Sequence, residues 1–130
     1  MQTVTGTFSV KMTPEPPYAA DDGVTLARAR FDKVFEGPLA GTSAVEFLSV
    51  RTADTAAYVA LERFDVELEG RRGRFVATHR ALATPAGKTL EVNIVEGTGT
   101  QQLVGITGDL SIEIVAGVHH YTLRYALAAP

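Results

Sequence analysis

Residues 3–12, TVTGTFSVKM, alternate between polar and apolar side chains, and this alternation decides the fold class. Val4, Phe8, Val10 and Met12 fall on one face of the segment, opposite a row of threonine, serine and lysine. Since successive side chains of a β-strand point to opposite faces, a period of two predicts a half-buried strand. The same alternation predicts further strands at about 26–35, 41–51, 57–68, 74–82, 89–95, 110–115 and 119–127.

The predicted strands are separated by short segments rich in glycine and proline, which favour tight turns over long helical crossovers. This pattern predicts one all-β domain over residues 1–130, either a sandwich or a barrel. Residues 24–35 and 54–64 are rich in Ala, Leu and Arg, so capped helices are the alternative there. We predict a single antiparallel closed β-barrel of about eight strands, with no helix longer than about two turns.

The composition excludes several kinds of chemistry. Cysteine is absent, which excludes disulfides, thiolate nucleophiles and cysteine-ligated clusters. A net charge of -3 does not suggest the phosphate-binding surface of a nucleic-acid protein. The longest apolar run, 56–61, is far shorter than the ~20 residues of a membrane helix, and residues 1–11 contain no secretory signal. We therefore expect a cytoplasmic protein with no nucleic-acid or membrane partner.

Short motifs in the chain point to no cofactor and no metal. The segment 96–100, EGTGT, lacks the third glycine of a dinucleotide-binding loop, because Gln102 stands at that position. The segment 70–74, GRRGR, matches the GxxG of an RNA-binding loop, but its flanks are predicted strands, which favours a basic hairpin turn. The three histidines form neither an HxH pair nor an HExxH helix, so no metal site is predicted.

Five ionisable residues fall in the apolar rows of the predicted strands: Lys33, Glu46, Glu62, His79 and His119. An isolated buried charge is costly, so such groups are paired, neutralised or face a cavity that holds water or ligand. A polar-lined interior accounts for all five. The alternative is an internal network, for example Lys33 with Glu46 or Glu62, that only fixes strand register. Among Phe31 and Phe35, Lys33 has either to extend to a rim of the barrel or to meet a carboxylate inside, and we expect the carboxylate.

Several short motifs lie in a distinctive order along nearly the whole chain. They are Gly6-Thr7-Phe8, Asp32-Lys33, Gly41-Thr42-Ser43, Tyr58-Val59-Ala60, Gly70-Arg71, Gly97-Thr98-Gly99 and the final Gly117, His119, Tyr121 and Tyr125. In these motifs the chain resembles an uncharacterised bacterial family of small proteins whose calycin-like barrel is similar to that of allene oxide cyclase. The resemblance implies an antiparallel barrel that self-associates into a homo-oligomer and has a cavity along its axis. It also places Lys33 and Glu46 on consecutive strands, which usually pair, so we expect these two side chains to be in contact.

Two functions fit a barrel with such an interior. The first is a carrier or sensor that holds an apolar small molecule. The second is a cofactor-free cyclase or isomerase of an unsaturated apolar substrate, in which Glu46, Glu62 or His79 moves a proton. Whether any reaction is catalysed stays open at this point. The candidate ligand-binding residues are Lys33, Tyr58, Phe64, Phe75, His119, Tyr121 and Tyr125.

Overall fold

The structure is a computed structural model, and it describes residues 1–127 of the 130. Its strands are β1 (Gln2–Pro14), β2 (Ala19–Asp21), β3 (Val24–Glu36), β4 (Leu39–Arg51), β5 (Ala56–Leu68), β6 (Arg71–Thr84), β7 (Gly87–Ile94), β8 (Thr107–Val115) and β9 (Val118–Ala126). The helical structure in the described residues is one 3₁₀ turn, Gln101–Leu103. The prediction of an all-β chain is therefore confirmed.

The strands close into a barrel because β1 pairs with two neighbours. It is antiparallel to β9 on one side and to β3 on the other, while the remaining strands pair in chain order. Eight strands form the closed barrel, and the short β2 adds to the edge of β3. The predicted antiparallel barrel of about eight strands is thus confirmed. β7 and β8 share a single residue pair, Asn93 with Asp109, so the barrel is held least tightly between these two strands.

The two segments for which helices were the alternative are both strands. Residues 24–35 lie in β3, and residues 56–64 lie in β5, each hydrogen-bonded to a strand on both sides. Helix propensity differs by well under 1 kcal/mol per residue among these residue types, so tertiary pairing overrides it. The described residues include no helix that is long and apolar enough to cross a membrane.

Large side chains fill one half of the barrel interior, which we call the closed half. It lies towards the β3–β4 and β5–β6 turns, and its rings include Phe64 and Phe75, stacked with centroids 4.5 Å apart. The Tyr121 hydroxyl accepts a hydrogen bond from the Leu39 N–H at 3.0 Å and lies 3.2 Å from the Glu36 carbonyl oxygen, to which it donates. Gly6 makes room for this tyrosine, because a Cβ there would lie 2.5 Å from the hydroxyl oxygen.

The connection between β7 and β8 covers the closed half. Its Leu103 and Ile106 side chains are fully buried. Beyond the last β6–β7 pair, the hydroxyl oxygens of Thr98 and Thr100 each accept a backbone N–H of β6 at 3.0 Å. The EGTGT segment therefore has a structural use, since its threonines replace the missing strand partner of β6. The other half of the barrel, towards the β4–β5 and β8–β9 turns, is the open half.

Candidate functional site

Glu62 on β5 is the centre of a buried polar cluster at the boundary of the two halves. Its side chain has no exposed area. Its Oε1 atom lies 3.2 Å from the Lys33 ammonium and 2.6 Å from His79 Nε2, and its Oε2 atom accepts a hydrogen bond from the Ser43 hydroxyl at 2.5 Å. One carboxylate therefore holds three side chains from β3, β4 and β6.

The strand register explains why these four side chains meet. On β5 the even-numbered residues point inward, so Tyr58, Ala60, Glu62 and Phe64 share the interior row. Lys33 is paired with Ser43, and Ser43 with Phe64, which places Glu62 two residues further along the inner face. His79 is paired with Ala60, and Ala60 is the inward residue next to Glu62 on β5. Side chains at such diagonal positions are within reach of each other when they are long.

The carboxyl group of Glu62 is held in its charged form. Burial by itself raises the pKa of this group, but the hydrogen bond from His79, the charge of Lys33 and the hydrogen bond from Ser43 outweigh burial, so the pKa lies below its usual value. An ionised carboxylate accepts hydrogen bonds and donates none, so His79 Nε2 carries the hydrogen of the 2.6 Å contact. The buried Lys33 and Glu62 charges thus form an ion pair.

A cavity of about 260 Å³ lies above this cluster in the open half. It is lined by Phe8, Val10, Phe31, Lys33, Val45, Phe47, Tyr58, His79, Ile112 and His119. Apart from the cationic Lys33 and three polar aromatic rings, these side chains are hydrocarbon. The cavity therefore has apolar walls and a polar floor.

The floor presents Lys33 and His79, while Glu62 lies behind them without reaching the cavity. The hydrogen bond of His79 to Glu62 uses Nε2, and every buried side-chain nitrogen or oxygen among residues 1–127 has a partner. The Nδ1 atom of His79, which has no such partner, therefore keeps some exposed area, and the ring itself lines the cavity. The Lys33 ammonium lies 4.9 Å from the centre of the Phe8 ring, within the range of a cation–π contact.

Two further titratable rings border the cavity. Tyr58 stands between Phe47 and His79, with ring centroids 4.5 Å and 6.5 Å away. Burial, with a smaller effect of the Glu62 charge, raises the pKa of Tyr58, so its hydroxyl stays protonated. His119 is half-buried, and its ring lies 5.1 Å from that of Phe8.

The interior position predicted for Glu46 is wrong. Its side chain is 71% exposed and bonds to Arg30 on the outside of the barrel at 3.1 Å. The inward row of β4 is the odd-numbered one, with Ser43, Val45 and Phe47. The predicted contact between Lys33 and Glu46 is therefore wrong as well, and Glu62 takes the place of Glu46.

Four of the residues predicted to line a ligand site fill the closed half instead: Phe64, Phe75, Tyr121 and Tyr125. None of them lines the cavity, because each points inward at a level below the Glu62 cluster. The Tyr125 hydroxyl contacts the Glu69 carboxylate and bonds to Gln2 at 2.9 Å. Burial and the contact with Glu69 raise the pKa of Tyr125 to about 12. Lys33, Tyr58 and His119 do line the cavity.

Sequence reasoning missed Ser43 and the aromatic walls Phe31 and Phe47. Ser43 gave no signal of its own, since a serine on a strand is commonplace. Phe31 lies two residues before Lys33 on β3, so the row that places Lys33 inside the barrel could have identified this ring as a wall. Phe47 was missed because the other row of β4 was assigned to the interior.

The arrangement suits proton transfer and anion recognition more than metal binding. Among the described residues, no three His, Asp or Glu side chains come together where they could hold a metal ion. An imidazole whose Nε2–H is fixed on a carboxylate offers Nδ1 to the cavity as a base, or as a donor once protonated. The neighbouring Lys33 places a positive charge beside it.

Comparisons with known proteins agree with this fold. The sequence profile of the family "Protein of unknown function (DUF3224)" matches residues 4–125. The chain is similar to a crystal structure of a protein with unknown function of that family from Shewanella oneidensis MR-1. The two share 38% sequence identity over 99% of each chain, with a TM-score of 0.93. No curated protein matches the chain.

Proposed function

Since the chain belongs to the DUF3224 family, whose function is unknown, we propose its function from the site: the open half of the barrel binds a small, mainly apolar molecule. The observation that carries the proposal is the cavity with apolar walls above Lys33 and His79. Lys33 and His79 are the polar groups at the base of otherwise largely hydrocarbon walls, which is the lining expected of a site for an apolar molecule with one polar group. Binding of such a molecule is sufficient for a carrier or a sensor.

The cavity volume limits the size of the molecule. A cavity of about 150 Å³ holds benzene, and ligand pockets usually begin at about 300 Å³. At about 260 Å³ the present cavity suits one ring with a short side chain, with space for further atoms at its open mouth. A long polyene does not fit inside it.

Filling the cavity tests this proposal. Val10→Phe adds a ring at the cavity wall, whereas Val34→Phe adds the same ring on the outside of the adjoining strand. Phenylacetamide, a neutral one-ring probe, is titrated against each protein by calorimetry or ligand-observed NMR. We expect the Val10→Phe variant to lose at least about tenfold in affinity, and the Val34→Phe variant to match the parent. Equal affinity in all three proteins would contradict binding in the cavity.

A second function, cofactor-free isomerisation, is favoured by one specific observation. His79 lines the cavity while Glu62 holds its Nε2, which leaves Nδ1 as the nitrogen that can act as a general base. In this proposal Nδ1 takes a proton from a carbon next to a carbonyl group, and Lys33 stabilises the resulting oxyanion. The proton returns two carbons further along, so the double bond moves and no oxidant is needed. The resemblance to allene-oxide-cyclase-like barrels supports this function only as an analogy of fold.

The isomerase proposal is tested with cyclohex-3-enone, a one-ring ketone whose conjugated isomer absorbs ultraviolet light much more strongly. We expect the parent and a His120→Gln control to form the conjugated isomer faster than buffer, since His120 lies on the outer surface. His79→Gln should abolish the difference from buffer. If the parent is no faster than buffer, isomerisation of this substrate class is excluded and the binding proposal stands alone.

A further inference from the structure

The chemistry of the cavity floor selects the polar group of the ligand. Two side chains that can carry positive charge, Lys33 and His79, bond to the same Oε1 atom of Glu62. The carboxylate itself has no exposed area, so a molecule in the cavity meets the two nitrogen-bearing groups and not their acceptor. A floor of donors beneath apolar walls recognises an acceptor, and best of all an anion.

The balance of charges points the same way. With His79 neutral, the charges of Lys33 and Glu62 cancel, and a bound carboxylate would add an uncompensated negative charge to an apolar space. With His79 protonated, the two cations face two anions, namely Glu62 and the ligand. The Nε2–H then bonds to Glu62, and the Nδ1–H is free to bond to the ligand.

The titratable groups around the cavity determine which side chain can take up a proton when an anion binds. Glu62 and Tyr58 face it from β5, Lys33 from β3, and His119 lies across the cavity on β9. The inward residues that β1, β7 and β8 contribute here, Val10, Val92 and Ile112, are hydrocarbon. Among the described residues, His119 is therefore the competing site of protonation that an experiment has to separate from His79.

We propose that the cavity binds a small carboxylate with an apolar body, and that His79 is protonated in the complex. This inference rests on the proposed function and names the ligand class. Because the bound state holds a proton on His79, proton uptake accompanies binding, and affinity for the carboxylate falls as pH rises. A neutral molecule of the same shape gains nothing from that proton.

The test compares phenylacetate with phenylacetamide, which have the same shape and differ in charge. Both are titrated at about pH 6 and about pH 8.5 by calorimetry. We expect the Kd of phenylacetate to rise at least about tenfold between these pH values, and that of phenylacetamide to change less than about twofold. His79→Gln should remove the pH dependence, while the His119→Gln and His120→Gln controls should keep it.

Each other outcome contradicts a defined part of the proposal. If both probes bind with the same affinity at both pH values, the cavity binds apolar molecules but does not select carboxylates. If only His119→Gln removes the pH dependence, the proton belongs to His119. If neither probe binds, the proposed function fails for ligands of this size, and the inference fails with it.

A measurement on the unaltered protein covers the case in which His79→Gln does not fold. The chain has three histidines, so ¹⁵N-histidine labelling gives three pairs of ring signals, assigned with the His119 and His120 variants. Saturating phenylacetate at about pH 7.5 should move the His79 nitrogens to the shifts of the doubly protonated ring. Unchanged His79 shifts at saturation would overturn the proposal.

Discussion

The Lys33 ammonium lies 3.2 Å from Glu62 Oε1, although the two residues sit on strands that are not neighbours in the barrel. β4 runs between β3 and β5, and it contributes Ser43, the third member of the cluster, between them. The buried pair thus links three strands at the level where the packed interior gives way to the cavity.

Removing the ammonium should destabilise the fold in a pH-dependent way. Lys33→Met leaves Glu62 buried with only His79 and Ser43, and breaking a buried pair costs roughly 3–5 kcal/mol. We expect a smaller loss at about pH 6 than at about pH 8, because a protonated His79 can replace the missing positive charge. Urea unfolding at both pH values measures the difference.

Arg30→Met is the matched control, since Arg30 is on the same strand and bonds to the exposed Glu46. An exposed ion pair contributes about 0–1 kcal/mol, so this variant should stay close to the parent at both pH values. Equal losses for Arg30→Met and Lys33→Met would mean that the buried pair has no special role in stability.

The carboxylate of Glu62 should shape the acid side of the stability profile. Its pKa is lower in the folded protein than in the unfolded chain, so its contribution is complete above the unfolded value, about 4.3, and is lost as pH falls through the folded value. We expect Glu62→Gln to flatten the decline in unfolding free energy below about pH 4.5. Glu46→Gln, which alters an exposed carboxylate, should decline as the parent does.

How much of this the sequence could predict is clearest at the β3–β4 hairpin. Strand parity correctly brought Lys33, Glu62 and His79 to the interior. It failed for Glu46 because both rows of β4 carry apolar residues, and Leu48 in the outward row is 47% exposed. Lys33 pairs with Ser43, and Phe35 pairs with Gly41. Odd-numbered residues of β3 are therefore paired with odd-numbered residues of β4, and paired residues point to the same side of the sheet. An inward Lys33 therefore excludes an inward Glu46.

The division of the interior into a packed and an open half could not be predicted in the same way. Phe64 and Phe75 lie in the same inward rows as Tyr58 and His79, and only their level along the barrel axis separates core from cavity. That level depends on the register of every strand pair and on where the β7–β8 connection covers the barrel. Alternation of residue types contains no information about either.

The closed half should act as a structural plug that is independent of the binding site. Tyr121→Phe removes the hydroxyl that accepts the Leu39 N–H, and an unsatisfied buried donor costs about 1–3 kcal/mol. We expect this loss in chemical denaturation, with phenylacetate affinity unchanged. Tyr18→Phe, at a half-exposed tyrosine, is the control for stability and should match the parent.

The outer surface of β4 and β5 is the face on which we expect copies of the chain to associate. Leu48 and Val59 are cross-strand partners there, Leu61 follows, and the Arg30–Glu46 pair places charges of both signs at the edge. Such a patch can meet its own copy about a two-fold axis, apolar on apolar and basic on acidic. Light scattering should give a mass of at least two chains of 13.9 kDa each for the parent protein.

A variant with Val59→Lys and Leu61→Lys should be monomeric in the same measurement. Val34→Lys, which alters an equally exposed valine on the outside of β3, should keep the mass of the parent. A parent protein at 13.9 kDa at high concentration would rule out self-association.

Methyl NMR during a titration with phenylacetate tests the central claim, binding in the open half, most directly. The cavity is lined by the methyl groups of Val10, Val45 and Ile112, whereas those of Val66 and Leu68 belong to the closed half. We predict saturable shifts of the first three and small shifts of the other two. Shifts confined to the outer methyl groups of Val34, Val59 and Leu61, or none at saturating ligand, would contradict a ligand site inside the barrel.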